Sequence, residues 1–131
     1  MKKLIILFNI FFLSGCDLID QFYNHMVLEV IHNKTGQKFS LQKDGVFVFS
    51  LENNSKFEKI YPGSFDEDAI ISYGTLAFEF EDGKVFEVEI NASTLSPISD
   101  KNIVWSDGGK GRQVGTTVDI YITEEVYEKA K

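Results

Sequence analysis

Cysteine, proline and long apolar runs are scarce in this chain. Its 131 residues include one cysteine and two prolines. A single cysteine excludes disulfides within the chain and leaves no set of thiols for a structural zinc site. The apolar run Leu4–Leu13, interrupted at Asn9, has about half of the roughly 20 residues that a membrane-spanning helix needs. The sequence therefore predicts a domain that folds without disulfides and a chain that does not cross a membrane.

Basic residues are also in deficit. The chain has 13 lysines and arginines against 20 aspartates and glutamates, a formal net charge of −7. A surface of this sign repels nucleic-acid phosphates and anionic lipid headgroups and favours basic partners. We therefore do not expect nucleic-acid binding.

The first sixteen residues are typical of a secretory signal. Lys2 and Lys3 precede the apolar run, and small residues follow it. The run ends in Leu13-Ser14-Gly15-Cys16, which resembles the lipobox of bacterial lipoproteins. In that family the cysteine thiol receives a diacylglyceryl group, a peptidase cuts directly before it, and the new N-terminus is usually acylated. The resemblance implies a fatty-acyl (palmitate-type) anchor on Cys16 in the lipid bilayer of a bacterial cell envelope.

Three segments follow from this interpretation: a signal peptide at 1–15, a lipidated tether at 16–25 and one domain at 26–131. Loss of the signal peptide removes two lysines and leaves 11 basic and 20 acidic residues, formally −9. Asp17 resembles the signal that retains enterobacterial lipoproteins in the inner membrane, which implies the periplasmic face of that membrane. The alternative is an incidental polar residue at the start of the tether.

Apolar and polar residues alternate along most of the domain. This period of two, with 12 phenylalanines in the chain, is typical of a folded all-β domain. Turn-forming residues separate the runs at short intervals, which predicts an antiparallel β-sandwich, immunoglobulin-like or transthyretin-like, of seven to nine short strands with a short C-terminal helix. The predicted strands are 26–32, 38–43, 46–52, 56–61, 69–73, 75–81, 84–91, 102–106 and 116–123.

Two Asp-Gly turns predict hairpins. Around Glu81-Asp82-Gly83, a three-residue loop with a left-handed Gly83 pairs Phe78 with Phe86 and Leu76 with Val88, which keeps one face apolar. Around Lys43-Asp44-Gly45, the same kind of loop pairs Leu41 with Phe47 and Phe39 with Phe49.

The first of these hairpins places Glu79, Glu87 and Glu89 on one solvent face. Such a face is a candidate acidic docking surface. The preferred alternative is a solvated face whose charges discourage edge-to-edge aggregation.

The C-terminal segment predicts a strand followed by a helix. Thr116–Thr123 is expected to bury Val118, Ile120 and Ile122 and to expose Thr117, Asp119 and Tyr121. Thr123 is the expected N-cap of a helix with acidic residues in its first turn and lysines in its last.

Motifs for catalysis or metal binding are missing. His25 and His32 lie seven residues apart, and neither belongs to a metal-ligand motif. No nucleophile elbow or phosphate loop occurs. Asp66-Glu67-Asp68 lacks the spacing of a calcium loop, so a solvated turn is the preferred interpretation. We expect no enzymatic activity, cofactor or metal.

The stretch from Trp105 to Gly115 is the most unusual part of the domain. It combines four glycines with Lys110 and Arg112, which can present amides and cations to an anion, while Trp105 can stack on a sugar ring. The preferred alternative is a long flexible connection whose tryptophan belongs to the core.

Two functions remain open. The first is a non-enzymatic envelope lipoprotein that binds another envelope or secreted protein, as an assembly accessory, an inhibitor, or an immunity or exclusion factor. The second is a small-ligand or glycan-binding module built on Trp105 and the loop 107–115.

Overall fold

The computed structural model describes residues 26–62, 69–91, 100–109 and 112–131. The signal peptide, the tether with His25, the acidic cluster Asp66-Glu67-Asp68 and Lys110 lie outside the described residues. The elements are β1 (Met26–Lys34), β2 (Phe39–Lys43), β3 (Val46–Leu51), β4 (Lys56–Pro62), β5 (Gly74–Phe80), β6 (Val85–Ile90), a 3-10 turn at Asp100–Asn102, β7 (Ile103–Gly109), β8 (Arg112–Thr123) and α1 (Glu124–Lys129).

The strands form two four-stranded sheets, so the predicted all-β sandwich is confirmed. One sheet has the order β4-β1-β8-β7 and the other β3-β2-β5-β6. All pairs are antiparallel except β1 with β8, which run parallel. Eight of the nine predicted strands are present. Within the described residues, no helix is long and apolar enough to cross a membrane.

The main core lies between the two sheets, and β1 is buried at five consecutive residues, 27–31, of which Leu28 and Val30 form a second apolar cluster with Met26. Phe39 packs edge-on against Phe78 and Phe80 within one sheet, and Phe49 of that sheet stacks on Phe57 of the other with ring centroids 4.5 Å apart. Apolar side chains buried on both inner faces supply the main force that holds the sheets together.

The β5–β6 hairpin has the predicted register. Leu76 pairs with Val88 and Phe78 with Phe86, and Gly83 adopts a φ of 87°. The Phe80 N–H donates to the Lys84 carbonyl at 2.9 Å, which closes the three-residue loop. The prediction was correct because one register alone put all the large apolar residues on one face.

The predicted register of the β2–β3 hairpin is wrong. Leu41 pairs with Phe49 and Phe39 with Leu51, two residues further along β3 than expected. The loop has two residues, Asp44 and Gly45, both with positive φ, and an irregularity in the pairing beside Leu41 absorbs the difference. Beyond the irregularity the shift is two residues, which preserves the faces of the strand, so the apolar pattern did not distinguish the two registers there. Between the irregularity and the turn the shift is one residue, and Phe47 pairs with Gln42 and is exposed.

The predicted strand at 69–73 is wrong. Residues 69–73 are not a strand: Ala69 and Ile70 are buried, but the segment follows a bent path at one end of the sandwich. The backbone N–H groups of Ile70 and Ile71 donate to the Glu29 carboxylate instead of to another strand.

The glycine-rich stretch is not a long flexible connection. β7 and β8 form a hairpin that reaches Gly109 and Arg112, and Thr117 is buried where exposure was expected. The Thr117 hydroxyl donates to the Gly108 carbonyl inside this hairpin. Trp105 is 54% exposed, so the interpretation as a core residue is wrong.

The end of the chain agrees with the sequence in most respects. Val118, Ile120 and Ile122 are buried, while Asp119 and Tyr121 are half-buried. The helix α1 follows Thr123, although the threonine side chain makes no capping hydrogen bond. Packing of its Val126 into the core holds this six-residue helix, which is too short to be stable by itself.

Candidate partner-binding surface

The outer face of the β3-β2-β5-β6 sheet carries the three predicted glutamates. Glu79 lies on β5, and Glu87 and Glu89 lie on β6; all three are exposed. We call this set the acidic face. It follows from the β5–β6 register, in which Ala77 lies opposite Glu87 and Thr75 lies opposite Glu89. The small residues between the glutamates leave the carboxylates standing clear of a flat sheet.

The carboxylates of the acidic face are close neighbours. Glu87 and Glu89 are two residues apart on one strand, so their Cα atoms are about 7 Å apart. Glu79 is the diagonal neighbour of Glu87, with about 7–8 Å between the two backbone positions. The ion pairs formed among the described residues are Lys38–Glu52, Lys56–Glu58, Lys101–Glu125 and His32–Asp119, and none includes the acidic face. The face therefore concentrates negative charge that a partner's cations can neutralise.

A shallow groove of about 230 Å³ borders the acidic face. It lies at the ends of β2 and β5, and Lys38, Ser40, Glu79 and Glu81 contribute its polar lining. Two carboxylates at the rim of a groove this size suit the charged end of one lysine or arginine side chain. The groove gives the acidic face a recess as well as a flat area.

Two of the other predicted site residues, Trp105 and Arg112, belong to strands of the other sheet. Trp105 lies on β7 of the other sheet, opposite Val118, and Arg112 begins β8 opposite Gly109. Lys110 lies outside the described residues. Among the candidates that the structure describes, the three glutamates are the ones that adjoin one another.

The sequence did not reveal a histidine–aspartate pair on the outer face of the other sheet. His32 Nε2 lies 2.7 Å from Asp119 Oδ1, and the His32 ring stacks on Tyr121 at 4.4 Å. The parallel pairing of β1 with β8 brings His32 and Asp119 together, although 87 positions separate them in the sequence. No local pattern signals such a contact.

The histidine–aspartate pair lines a cavity of about 170 Å³ with Leu28, Val30, Lys56, Glu58 and Thr117. A catalytic pair needs a nucleophile within hydrogen-bond reach. The Thr117 hydroxyl, the only hydroxyl in this lining, donates to the Gly108 carbonyl. The contact joins β1 to β8.

A buried carboxyl is another feature that no local sequence pattern signals. Glu29 is fully buried between the sheets and accepts the N–H groups of Ile70 and Ile71 at 2.7 and 3.1 Å. Burial raises the pKa of Glu29, although these two hydrogen bonds and, more weakly, Lys59 and Lys43 oppose the shift.

A lysine contacts the same segment from the opposite sheet. Lys43 Nζ donates to the Ala69 carbonyl at 2.9 Å and to the Ser72 hydroxyl, and burial lowers its pKa. Burial raises the pKa of Tyr61, and the negative charge of Glu29 raises it further. Buried groups with shifted pKa values often mark active sites. Here Glu29 and Lys43 hydrogen-bond to residues 69–72, so their role is to hold that segment in place.

Known proteins offer no guide beyond this geometry. Comparison of the chain with protein-family models, curated proteins and solved structures finds no match. The acidic face is the arrangement from which a function can be argued.

Proposed function

We propose that this protein is a lipid-anchored component of a bacterial cell envelope that binds the basic surface of another envelope or secreted protein. Its role would be that of an assembly accessory, an inhibitor, or an immunity or exclusion factor. The observation that carries the proposal is the acidic face, in which three exposed glutamates stand together on a rigid sheet. Electrostatic complementarity of this kind speeds association and selects partners by charge.

The anchor supports the same role. We propose that Cys16 carries the lipid, on the basis of the lipobox and the preceding apolar run. Two or three acyl chains hold a protein stably on a bilayer, whereas one chain gives marginal binding. A tethered domain meets membrane partners at a raised effective concentration, so modest affinity is sufficient. Asp17 favours the periplasmic face of the inner membrane.

We propose a non-catalytic role without a cofactor. Within the described ranges, no three His, Cys, Asp or Glu residues are grouped as metal ligands would be. In the described part of the chain, the hydroxyl that lines the cavity of the histidine–aspartate pair is that of Thr117, which donates to the Gly108 carbonyl. These observations favour binding over chemistry.

Capture and binding kinetics with matched variants test the proposal. The lipoprotein is purified in detergent from envelopes, its stoichiometric partner is identified, and association is measured with the wild type and with the triple variant Glu79→Gln, Glu87→Gln, Glu89→Gln. A control triple variant, Glu124→Gln, Glu125→Gln, Glu128→Gln, removes the same charge from exposed positions on α1.

We expect the acidic-face variant to associate several-fold more slowly at low salt and the control to resemble the wild type. Raising salt should slow the wild type, because screening shortens the range of these charges to about 8 Å at physiological ionic strength. Equal association rates for the two triple variants would contradict the proposal.

A second function rests on Trp105. Its side chain is 54% exposed on the edge strand β7, and a tryptophan ring is a suitable platform for a sugar. Glycan-array binding that Trp105→Ala abolishes and the acidic-face variant retains would support this function in place of the first.

A further inference from the structure

Three large apolar side chains are exposed at the end of the sandwich where β1 begins. We call it the tether end; it comprises the start of β1 at Met26, the end of β4, the β2–β3 turn and residues 69–74. Met26 pairs with Pro62 there. Val46 is 67% exposed, Phe47 61% and Tyr73 53%. All three belong to this one end of the sandwich, and large apolar side chains left exposed at one end of a domain indicate a candidate contact site.

The polypeptide around these side chains is braced. The Asp44 N–H donates to the Thr75 carbonyl, and the Thr75 N–H donates to Asp44 Oδ1, both at 2.8 Å. Asp44 and Gly45 have positive φ, and a Cβ on Gly74 would lie 2.8 Å from Asp44 Oδ2. The tight turn is therefore locked against the start of β5. Val46 and Phe47 leave this turn directly, and Tyr73 precedes Gly74, so a rigid frame presents all three.

The tether end is also the end nearest the proposed lipid anchor. Nine residues lie between Cys16 and Met26, and the ten residue steps from one to the other span at most about 35 Å. The nine residues of β1 extend the domain about 30 Å further from that point. The tether end can therefore rest on the bilayer, whereas the opposite end reaches it only if the tether runs back along the whole domain.

We infer that the tether end sits on the membrane surface, with Val46, Phe47 and Tyr73 inserted into the interfacial layer of the bilayer. The inference rests on the proposed lipidation of Cys16. Aromatic side chains are favoured at this depth, where a tyrosine ring contacts apolar chains while its hydroxyl stays hydrated. Insertion of three side chains adds to the acyl anchor and fixes the tilt of the domain.

The charge at this end selects the kind of membrane. Asp44 lies in the turn, and the chain as a whole carries a formal net charge of −7. Anionic headgroups would repel this surface, so apolar insertion into a zwitterionic bilayer is the favoured contact. In this orientation the strands run away from the membrane and the acidic face points parallel to its plane. A neighbouring membrane protein can then contact the acidic face.

Site-specific fluorescence on the full mature lipoprotein tests the inference. Cys16 is the only cysteine, and its sulfur is consumed by the lipid, so Phe47→Cys and Tyr73→Cys each give one labelling site. The control is Glu52→Cys, an exposed position at the opposite end of β3. Each variant carries an environment-sensitive fluorophore and is reconstituted into vesicles of phosphatidylcholine and phosphatidylethanolamine, with and without a quencher attached to the lipid.

We expect labels at positions 47 and 73 to shift to the blue and to be quenched several-fold more than the label at 52. Replacing part of the lipid by phosphatidylglycerol should reduce that quenching. Labels at 47 and 73 as water-exposed as the control would overturn the inference, as would quenching that needs anionic lipid. Fatty-acid labelling of the same samples separates the two proposals: absence of lipid on Cys16 refutes both, whereas a lipidated protein with aqueous labels refutes only membrane docking.

Discussion

Two phenylalanines on one sheet should differ sharply in their contribution to stability. Phe78 on β5 is fully buried and packs against Phe39 at 5.4 Å and Phe86 at 6.1 Å between ring centroids. Phe47 on β3 is 61% exposed. The same change to alanine at the two positions therefore compares burial with exposure in one domain.

Phe78→Ala should lower the free energy of unfolding by about 3–5 kcal/mol. This range combines the lost transfer of a buried aromatic ring with the cavity left in a core that relaxes only partly. Two aromatic neighbours favour the upper half of the range, since each ring pair adds about 0.5–1.5 kcal/mol beyond buried area. Phe47→Ala should change the free energy by less than about 0.5 kcal/mol, as surface substitutions do.

Urea denaturation of the unlipidated mature chain, followed by circular dichroism, measures both values. With a slope of about 2 kcal/mol per molar, a loss of about 4 kcal/mol moves the midpoint by about 2 M for Phe78→Ala. The midpoint of Phe47→Ala should stay close to that of the wild type. Similar losses at the two positions would refute the two-residue loop and the register of the β2–β3 hairpin, because the expected three-residue loop would bury Phe47.

Three further predictions concern the anchor, the buried carboxyl and the braced turn. Metabolic labelling with a fatty-acid analogue should mark the wild type and not Cys16→Ala; equal labelling would remove the basis of the anchor. The folded-state pKa of Glu29 is raised above its ordinary value of 4.5, so the folded protein holds this proton more tightly than the unfolded chain. Wild-type stability should fall relative to Glu29→Gln as pH rises from 4.5 through the folded-state pKa, and a difference that is constant between pH 4 and 8 would contradict this. In the same urea assay, Gly74→Ala should lower the free energy of unfolding by about 1 kcal/mol more than Gly83→Ala. Both glycines have positive φ, but only the Cβ at 74 displaces Asp44 from its hydrogen bond to Thr75. Equal losses would show that this hydrogen bond contributes nothing to stability.

The failures of sequence reasoning have specific physical causes. In the β2–β3 hairpin, the expected and observed registers differ by two residues beyond the irregularity, so both place Leu41 and Phe49 on the apolar face. Contacts of Asp44 with Thr75 and Gly74 favour the tight turn, and those residues lie about 30 positions away in sequence. Residues 69–73 carry the apolar alternation of a strand, but their backbone donors bond to Glu29.

The sequence alone determined the features that depend on neighbouring residues. Alternation with a period of two fixed the all-β class, and the Asp82-Gly83 turn with its flanking phenylalanines fixed the β5–β6 register and with it the acidic face. The proposed anchor at Cys16 is likewise argued from local sequence. Tertiary structure decided everything that depends on contact between distant segments: the parallel pairing that joins His32 to Asp119, the burial of Glu29, and the exposure of Phe47 and Tyr73 at the tether end. Such contacts follow from how two sheets close over one core, and that closure is a property of the whole chain and not of any short stretch of it.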